Sequence, residues 1–357
     1  MRIAQIAPLW ERVPPRAYGG IELVVGLLTD ELVRRGHEVT LFASGDSLTL
    51  AKLISVHPCA LRLDATVKEY SIYEVLQLTS VYERAEEFDI IHSHMGHSPL
   101  AYTNLVKTPT VHTLHGTFTP DNEKIFKYAK RQPYISISHA QREPRLGLNY
   151  VDTIYNGIDV TSYKFFPEPI DEPYLAFLGR MSPEKGPHLA IEIAKKAGWR
   201  LKMGGKLDMV DVKFFEREIQ PLIDGDQIQY LGEANHAEKN VLMGGAVATL
   251  FPITWREPFG LVMVESMASG TPVIGMRMGS TEEVIADGET GFLCNNTQDC
   301  VSAIDKVARL NRYACRRYVE DHFSVKQMTD GYEAVYKQIL KEKFGQKNGY
   351  LRSTLVN

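Results

Sequence analysis

The chain has 357 residues, 44% of them hydrophobic and 24% charged, with a formal net charge of −4. One hydrophobic core stops growing near ~250–300 residues, so this length predicts two domains. The acidic balance argues against general nucleic-acid binding, which uses a strongly basic surface.

No apolar run approaches the ~18 residues that a membrane-spanning helix needs. The opening "MRIAQIAPLWERVPPR" has no long apolar core of a secretory leader. A cytoplasmic protein is expected. Cys59, Cys294, Cys300 and Cys315 are scattered without a CxxC pair, as expected of reduced thiols, and they lack the ligand spacing of a zinc site.

Short apolar runs alternate with longer helical patterns from the first residue on. Strands are predicted at "RIAQIA", "EVTLFA" (38–43), "DIIHSH" (89–94), "TPTVHTLH" (108–115), "YISIS" (134–138) and "DTIYN" (152–156), with helices over 21–35, 71–87 and 122–131. A second series follows: "YLAFLG" (174–179), "RLKMGG" (200–205), "IQYLG" (228–232), "VATLFP" (247–252), "PVIGM" (272–276) and "GFLC" (291–294). Alternation on this scale means βαβ units and parallel sheets covered on both faces. The fold class is therefore α/β, with two doubly wound, Rossmann-like domains. The expected division is 1–160, a linker at 161–173 within the aperiodic, proline-rich stretch 156–174, a second domain at 174–323, and a C-terminal helix over 324–345 returning toward the first domain.

In such sheets ligands bind beyond the carboxyl ends of the strands, so the residues that leave the strands carry the chemistry. "YGGIE" (18–22) places Gly19 and Gly20 at the start of helix 21–35, where backbone N–H groups can meet a phosphate. "IIHSHMGH" holds His92, His94 and His97. With His112 these invite a metal reading, but no carboxylate completes the set at ligand spacing. "TLHGTF" puts His115 at a strand end before a glycine. "FLGRMSPEKG" (177–186) puts Arg180 and Lys185 at the end of another strand, and two cations there suit a diphosphate.

The most informative stretch is "REPFGLVMVESMASGTPVIG" (256–275). It reads as a loop and then a helix, with Pro258 near the first turn, Glu257 just before it and Glu265 about two turns in. The N–H groups of Phe259, Gly260 and Leu261 would make a helix N-terminus that attracts anions. A carboxylate on either side could accept paired sugar hydroxyls. The alternative makes Glu257 a helix-capping acid and Glu265 a solvated helix residue. Against that, the neighbours Val262, Met263, Val264 and Met267 are apolar, so Glu265 is expected to be buried and partnered.

"EPFGLVMVE" resembles the E-x7-E signature of retaining GT-B glycosyltransferases of family 4, and the resemblance extends over essentially the whole chain. It implies that Glu257 holds hydroxyls of a donor sugar and Glu265 the ribose hydroxyls of the nucleotide. Phe259, Gly260 and Leu261 would then meet sugar and phosphates, Arg180 and Lys185 neutralise the departing diphosphate, and His115 lies beside the sugar. Gly19 and Gly20 lie near donor phosphate and acceptor, and His94 takes the second place of an H-x-H strand end. "MGSTEEVI" (278–285) departs from the usual pattern, because Ser280 follows Gly279 where many relatives have a second glycine.

The function implied is transfer of a sugar from a nucleotide-sugar, with uridine diphosphate the expected carrier, to an acceptor hydroxyl of a saccharide or lipid-linked acceptor. No cofactor or metal is expected. A nucleotide-sugar epimerase or hydrolase and a non-catalytic sugar-nucleotide-binding protein are the alternatives. A dinucleotide oxidoreductase needs a G-x-G-x-x-G turn after the first strand, where this chain has "APLWERVPPRAYGG". Lys124, Lys127, Lys130 and Arg131 on helix 122–131, with Arg142 and Arg145, raise peripheral contact with an anionic membrane. A solvated basic face is the plainer reading.

Overall fold

The computed structural model describes residues 1–353, with side chains to residue 343. The first sheet contains β1 (Arg2–Ile6), β2 (Glu38–Phe42), β3 (Lys52–Ile54), β4 (Ile90–Ser93), β5 (Thr110–Leu114), β6 (Tyr134–Ser136) and β7 (Tyr150–Thr153). Its seven strands run in the order β3-β2-β1-β4-β5-β6-β7. The second contains β8 (Leu175–Leu178), β9 (Leu201–Gly204), β10 (Ile228–Tyr230), β11 (Ala248–Phe251), β12 (Val273–Met276) and β13 (Gly291–Cys294). Its six strands run β10-β9-β8-β11-β12-β13, and every strand pair in both sheets is parallel.

The helices are α1 (Gly20–Arg34), α2 (Tyr70–Glu83), α3 (Asn122–Tyr128), α4 (Pro187–Ala197), α5 (Val212–Phe214), α6 (His236–Gly244), α7 (Leu261–Ala268), α8 (Thr281–Val284), α9 (Thr297–Val307), α10 (Arg312–His322) and α11 (Val325–Ser353). They cover both faces of each sheet, so the central strands are apolar throughout rather than alternating. All four residues of β8 and of β11 are buried. Among the described residues no helix is long and apolar enough to cross a membrane.

Each sheet reverses its strand order once, between β1 and β4 in the first and between β8 and β11 in the second. These switch points open a crevice at the carboxyl ends of the strands, and the two crevices face each other. The chain passes between the domains at two adjoining places. The Ile158 N–H donates to Phe323 O at 2.9 Å and the Val325 N–H to Ile158 O at 3.1 Å. Beyond this point α11 joins the first domain: Met328, Tyr332, Val335, Tyr336 and Ile339 pack with Ile3, Val24, Leu28 and Ile135. The stretch 161–173 is not a free connection. It lies along the second domain, with Tyr163 buried beside Glu265 and the Phe166 carbonyl accepting from Arg312 at 2.8 Å.

Local expectations differ in several places, and the strand predicted at 152–156 is β7 at Tyr150–Thr153. β3 pairs with β2 but is too short to show a period. α2 stops at Glu83 and a separate turn, Ala85–Glu87, follows, which lets Phe88 turn inward against Phe42. α3 ends at Tyr128 rather than 131, and the carbonyls just past its end find partners outside it. Ala129 O accepts from the Tyr134 hydroxyl at 3.0 Å, and Lys130 O from the Asn149 N–H at 2.9 Å.

Candidate active site

Gly19, Gly20, His115, Arg180, Lys185, Glu257, Phe259, Gly260, Leu261 and Glu265 all line one cavity of about 320 Å³ between the domains. The start of α1 faces the start of α7 across it: a methyl added at Gly20 would lie 3.2 Å from Leu261 Cδ1. Two helix N-termini, one from each domain, therefore point into the same space. Positive partial charge converges there without any side chain.

The second of these N-termini begins later than its proline implies. Gly260 is the N-cap of α7 in the left-handed region, with φ 77°, and Pro258 lies outside the helix. Proline at the first turn and proline in the preceding loop look alike in sequence; the backbone reversal at Gly260 separates them. Among the described residues the N–H groups of Phe259, Gly260, Leu261 and Val262 have no hydrogen-bond partner. They form a run of donors at the cavity wall.

The two glutamates flank that run and are built alike. Glu257 is 7% exposed, and its Oε2 accepts from Lys185 Nζ at 2.5 Å and from Trp255 Nε1 at 2.9 Å. Glu265 is 3% exposed, and its Oε1 accepts from the Tyr163 hydroxyl at 2.9 Å and from Lys239 Nζ at 3.1 Å. In each, one oxygen is held by protein donors, and the other has no partner among the described residues. Neither is a helix cap or a solvated helix residue. Burial and the Glu265 carboxylate push the Tyr163 hydroxyl well above its ordinary pKa, so it stays a neutral donor.

Behind Glu257 stands the loop that departs from the family pattern. Gly279 has φ +61°, and a Cβ there would lie 2.4 Å from Glu257 N and 2.5 Å from Glu257 O. Next to it, the buried Ser280 donates its N–H to Glu257 O at 3.0 Å and its hydroxyl to Phe259 O at 2.8 Å. Glycine permits the close approach, and serine ties the loop to the turn that leads into α7. On the same element Glu283 bridges the domains, accepting from the N–H groups of His139 at 2.7 Å and Ala140 at 2.6 Å and from the Tyr155 hydroxyl at 2.9 Å.

Arg180 and Lys185 share the cavity but not a partner. Arg180 donates to Glu184 at 2.7 Å and lies 3.7 Å from Asp208, while its buried Nε has no partner among the described residues. Two further cations line the same wall, Lys206 and Lys239. Neither was legible in sequence: Lys206 lies one residue beyond the end of "RLKMGG", and Lys239 sits on α6, outside every motif. Tyr18, under the Lys206 ammonium at 5.3 Å, was also missed.

His115 Nε2 is turned inward to His94 Nδ1 at 2.9 Å, and His94 Nε2 continues to Gln5 Oε1 at 3.1 Å. His92 lies beside this chain, bonded to Tyr336 at 2.6 Å and Thr113 at 2.7 Å. Burial lowers the pKa of His115 to about 4 and those of His92 and His94 well below the usual range, so all three are neutral near pH 7. Among the described residues His92, His94, His97 and His112 do not bring three ligand atoms together.

The basic segment 122–145 lies away from this cavity and is partly neutralised. Lys124 pairs with Asp121 at 3.1 Å, Lys127 with Glu123 at 3.2 Å, and Arg145 also with Glu123. Arg142 stacks over Tyr150 at 5.0 Å. Lys130 and Arg131 are exposed, but past the end of α3.

Two family models divide the chain: Glycosyltransferase Family 4 matches residues 18–162 and Glycosyl transferases group 1 matches residues 161–321. N-acetyl-alpha-D-glucosaminyl L-malate synthase of Bacillus anthracis is 25% identical, over 93% of this chain and 96% of its own length. Among solved structures, sucrose-phosphate synthase from Thermosynechococcus elongatus is similar with a TM-score of 0.78 at 20% identity, covering 96% of this chain and 99% of that one. Anabaena HepE in complex with UDP and glucose is similar with a TM-score of 0.75 at 18% identity, covering 95% and 100%. The fold is GT-B, and the two family models, each matching one domain, together support a family 4-type glycosyltransferase.

Proposed function

We propose that the protein is a metal-independent, retaining glycosyltransferase that moves a hexosyl unit from a uridine-diphosphate sugar to an acceptor hydroxyl. The observation that carries this is the matched pair of glutamates. Glu257 and Glu265 each keep one oxygen without a partner among the described residues, on either side of an unpaired N–H run, in a cleft between two domains. A ribose, a diphosphate and a sugar laid in a row match this order of acceptor, donors and acceptor.

In this reading Glu265 receives the ribose hydroxyls. The N–H groups at the start of α7, with Arg180 and Lys185, receive the diphosphate, and Gly19 and Gly20 approach it from the first domain. Glu257 and His115 receive hydroxyls of the donor sugar. As the glycosidic bond to the leaving phosphate breaks, negative charge grows on the diphosphate, where Arg180, Lys185 and the helix donors are already aimed. These cations supply the neutralisation that a bound divalent ion provides in other sites. A diphosphate oxygen on the same face takes the acceptor proton, so no side-chain base is needed, and the anomeric configuration is kept. Closure about the crossings at 158 and 323–325 excludes water.

Support for uridine comes from HepE, whose structure is described with UDP and glucose. The acceptor is a saccharide, a lipid-linked sugar or a small metabolite, offered by the first domain. The place of action is the cytoplasm, with peripheral membrane contact through 122–145 for a lipid-linked acceptor.

The test is a thermal-shift screen against UDP, GDP, ADP and their sugar conjugates, with and without magnesium. A native-state ligand raises apparent stability by RT ln(1 + [L]/Kd). A shift with uridine nucleotides that needs no magnesium is expected, followed by donor turnover only with acceptor and a product anomer of unchanged configuration by NMR. Turnover without acceptor would mean a hydrolase or epimerase. Binding without any turnover would mean a nucleotide-sugar sensor, and no shift would sink the site.

A further inference from the structure

The loop between β3 and α2 holds three residues of metal-binding chemistry that sugar transfer does not use. His57, Cys59 and Asp64 each offer one ligand atom, and these atoms lie within 4.8 Å of one another. We propose that they form a three-ligand site for zinc or a similar divalent ion, outside the catalytic cleft.

Imidazole, thiolate and carboxylate are the ligand types that zinc takes in tetrahedral sites, and three of them leave the fourth position to water. The loop already orients two of the three. Asp64 Oδ1 accepts from the Thr66 N–H at 2.9 Å and the Thr66 hydroxyl at 2.6 Å, which leaves Oδ2 to face His57 Nε2 at 3.1 Å. The His57 N–H donates to Ser55 Oγ at 3.2 Å, and its carbonyl accepts from the Ser55 hydroxyl at 2.6 Å and the Gly45 N–H at 2.8 Å. The His57 ring meets Tyr73 edge-on at 4.8 Å. Outer contacts of this kind hold metal ligands in place. A divalent ion would take the Nε2 lone pair of neutral His57, whose ring proton moves to Nδ1 by exchange with solvent, together with Asp64 Oδ2 and the Cys59 sulfur, whose thiol proton goes to solvent.

Cysteine, histidine and aspartate together also make up an activated thiol nucleophile. The surroundings oppose that reading: the Asp64 carboxylate lies beside the Cys59 sulfur, and Asp46 is a second acid near it. Reactive thiols sit in positive surroundings that favour the thiolate. Here the local charge is negative, and a cation would balance it.

The position gives the ion a purpose. The Leu61 N–H donates to Leu9 O at 2.9 Å and the Arg62 N–H to Trp10 O at 3.2 Å, while Leu9, Leu61 and Val67 share an apolar cluster. Arg62 also pairs with Glu11. This chain segment runs on to Tyr18, Gly19 and Gly20 of the cleft, so an ion at residues 57–64 stiffens the first-domain wall.

Cobalt(II) titration of the full-length protein tests this. The expected result is one cobalt per chain with a near-ultraviolet thiolate-to-cobalt charge-transfer band, displaced by zinc and lost in Cys59→Ser. Zinc should also raise Tm in the wild type and not in Cys59→Ser, and should protect Cys59 from alkylation, as mapped by peptide mass. No such band in the wild type, or one that survives in Cys59→Ser, overturns the proposal. Should the serine variant fail to fold, the alkylation result in the wild type decides: equal labelling of Cys59 with and without zinc overturns it.

Discussion

His115, on the wall of the cleft, directs its Nε2 at Nδ1 of the buried His94, 2.9 Å away. The direction of the proton follows from the far end of the chain. Gln5 Oε1 can only accept, so neutral His94 carries its proton on Nε2 and offers a lone pair at Nδ1. His115 must then donate from Nε2 and keep a lone pair on Nδ1. The Gln5 amide takes this orientation because its Nε2 donates to the Tyr336 hydroxyl at 3.1 Å. A residue of the C-terminal helix thus decides which nitrogen a cleft histidine presents to the cavity.

Nitrogen-15 NMR should find His115 neutral and protonated on Nε2 from pH 5 to 8. Gln5→Leu frees the tautomer, and kcat should fall while the KM for the donor changes little. A His115 imidazolium at pH 6, or the proton on Nδ1 in the wild type, would overturn the assignment.

Acid stability is set by the same burial. His112 is buried with neither ring nitrogen bonded among the described residues, and its pKa falls from 6.5 to about 3. The unfolded chain therefore binds a proton below about 6.5 that the folded chain refuses. The stabilising contribution is complete above pH 6.5 and is lost as pH falls toward 3, so stability rises with pH across this window. His112→Phe should flatten that slope and stabilise the protein at pH 5 by on the order of 2 kcal/mol relative to its effect at pH 8. Denaturation midpoints at the two pH values check it; a parallel shift at both would show that His112 does not titrate on unfolding.

The two glutamate–lysine pairs should separate binding from turnover. Glu265→Gln keeps an acceptor for Tyr163 but removes the charge facing Lys239, and weaker UDP binding by calorimetry is expected. Lys185→Ala and Arg180→Ala should lower kcat by roughly 10²–10³-fold, the usual effect of losing one preorganised donor at a developing anion. Equal and negligible effects of all three changes would remove these residues from the site.

Gly279→Ala tests the support behind Glu257. The added methyl meets the Glu257 backbone at 2.4 Å, and φ is +61°, where a side chain is strained. A stability loss of about 1–3 kcal/mol is expected, with a larger fractional loss of activity because Glu257 is pushed off Lys185. Ser280→Ala removes only the bond to Phe259 O and should be milder. Wild-type activity in Gly279→Ala would mean that the loop moves freely.

Much of the site could be read from local patterns. The alternation of apolar strands and helices specified parallel sheets, and residues at strand carboxyl ends had to converge where two such sheets face each other. Glu257, Glu265, Arg180, Lys185 and His115 were picked out by that placement together with the resemblance of "EPFGLVMVE" to the E-x7-E signature. Lys239 and Tyr163 were not, because their bonds to Glu265 join residues 26 and 102 positions apart, and nothing local marks either as a partner. The basic run at 122–145 carries less free charge in the fold than in the sequence for a similar reason. Its charges are conspicuous in a row, but Glu123 is shared by Lys127 and Arg145 only once the chain folds.

The sequence by itself determined the α/β class, the two domains and the identity of the residues that enter the cleft. The first two follow from periodicity, and the residues from their place near strand ends taken together with the resemblance of "EPFGLVMVE" to the family signature. Tertiary structure decided the rest: the start of α7 at a left-handed Gly260, the one oxygen on each glutamate without a partner among the described residues, and the neutral tautomer of His115. These depend on burial and on partners brought from distant positions, and both arise only when the two sheets and the returning C-terminal helix are packed together.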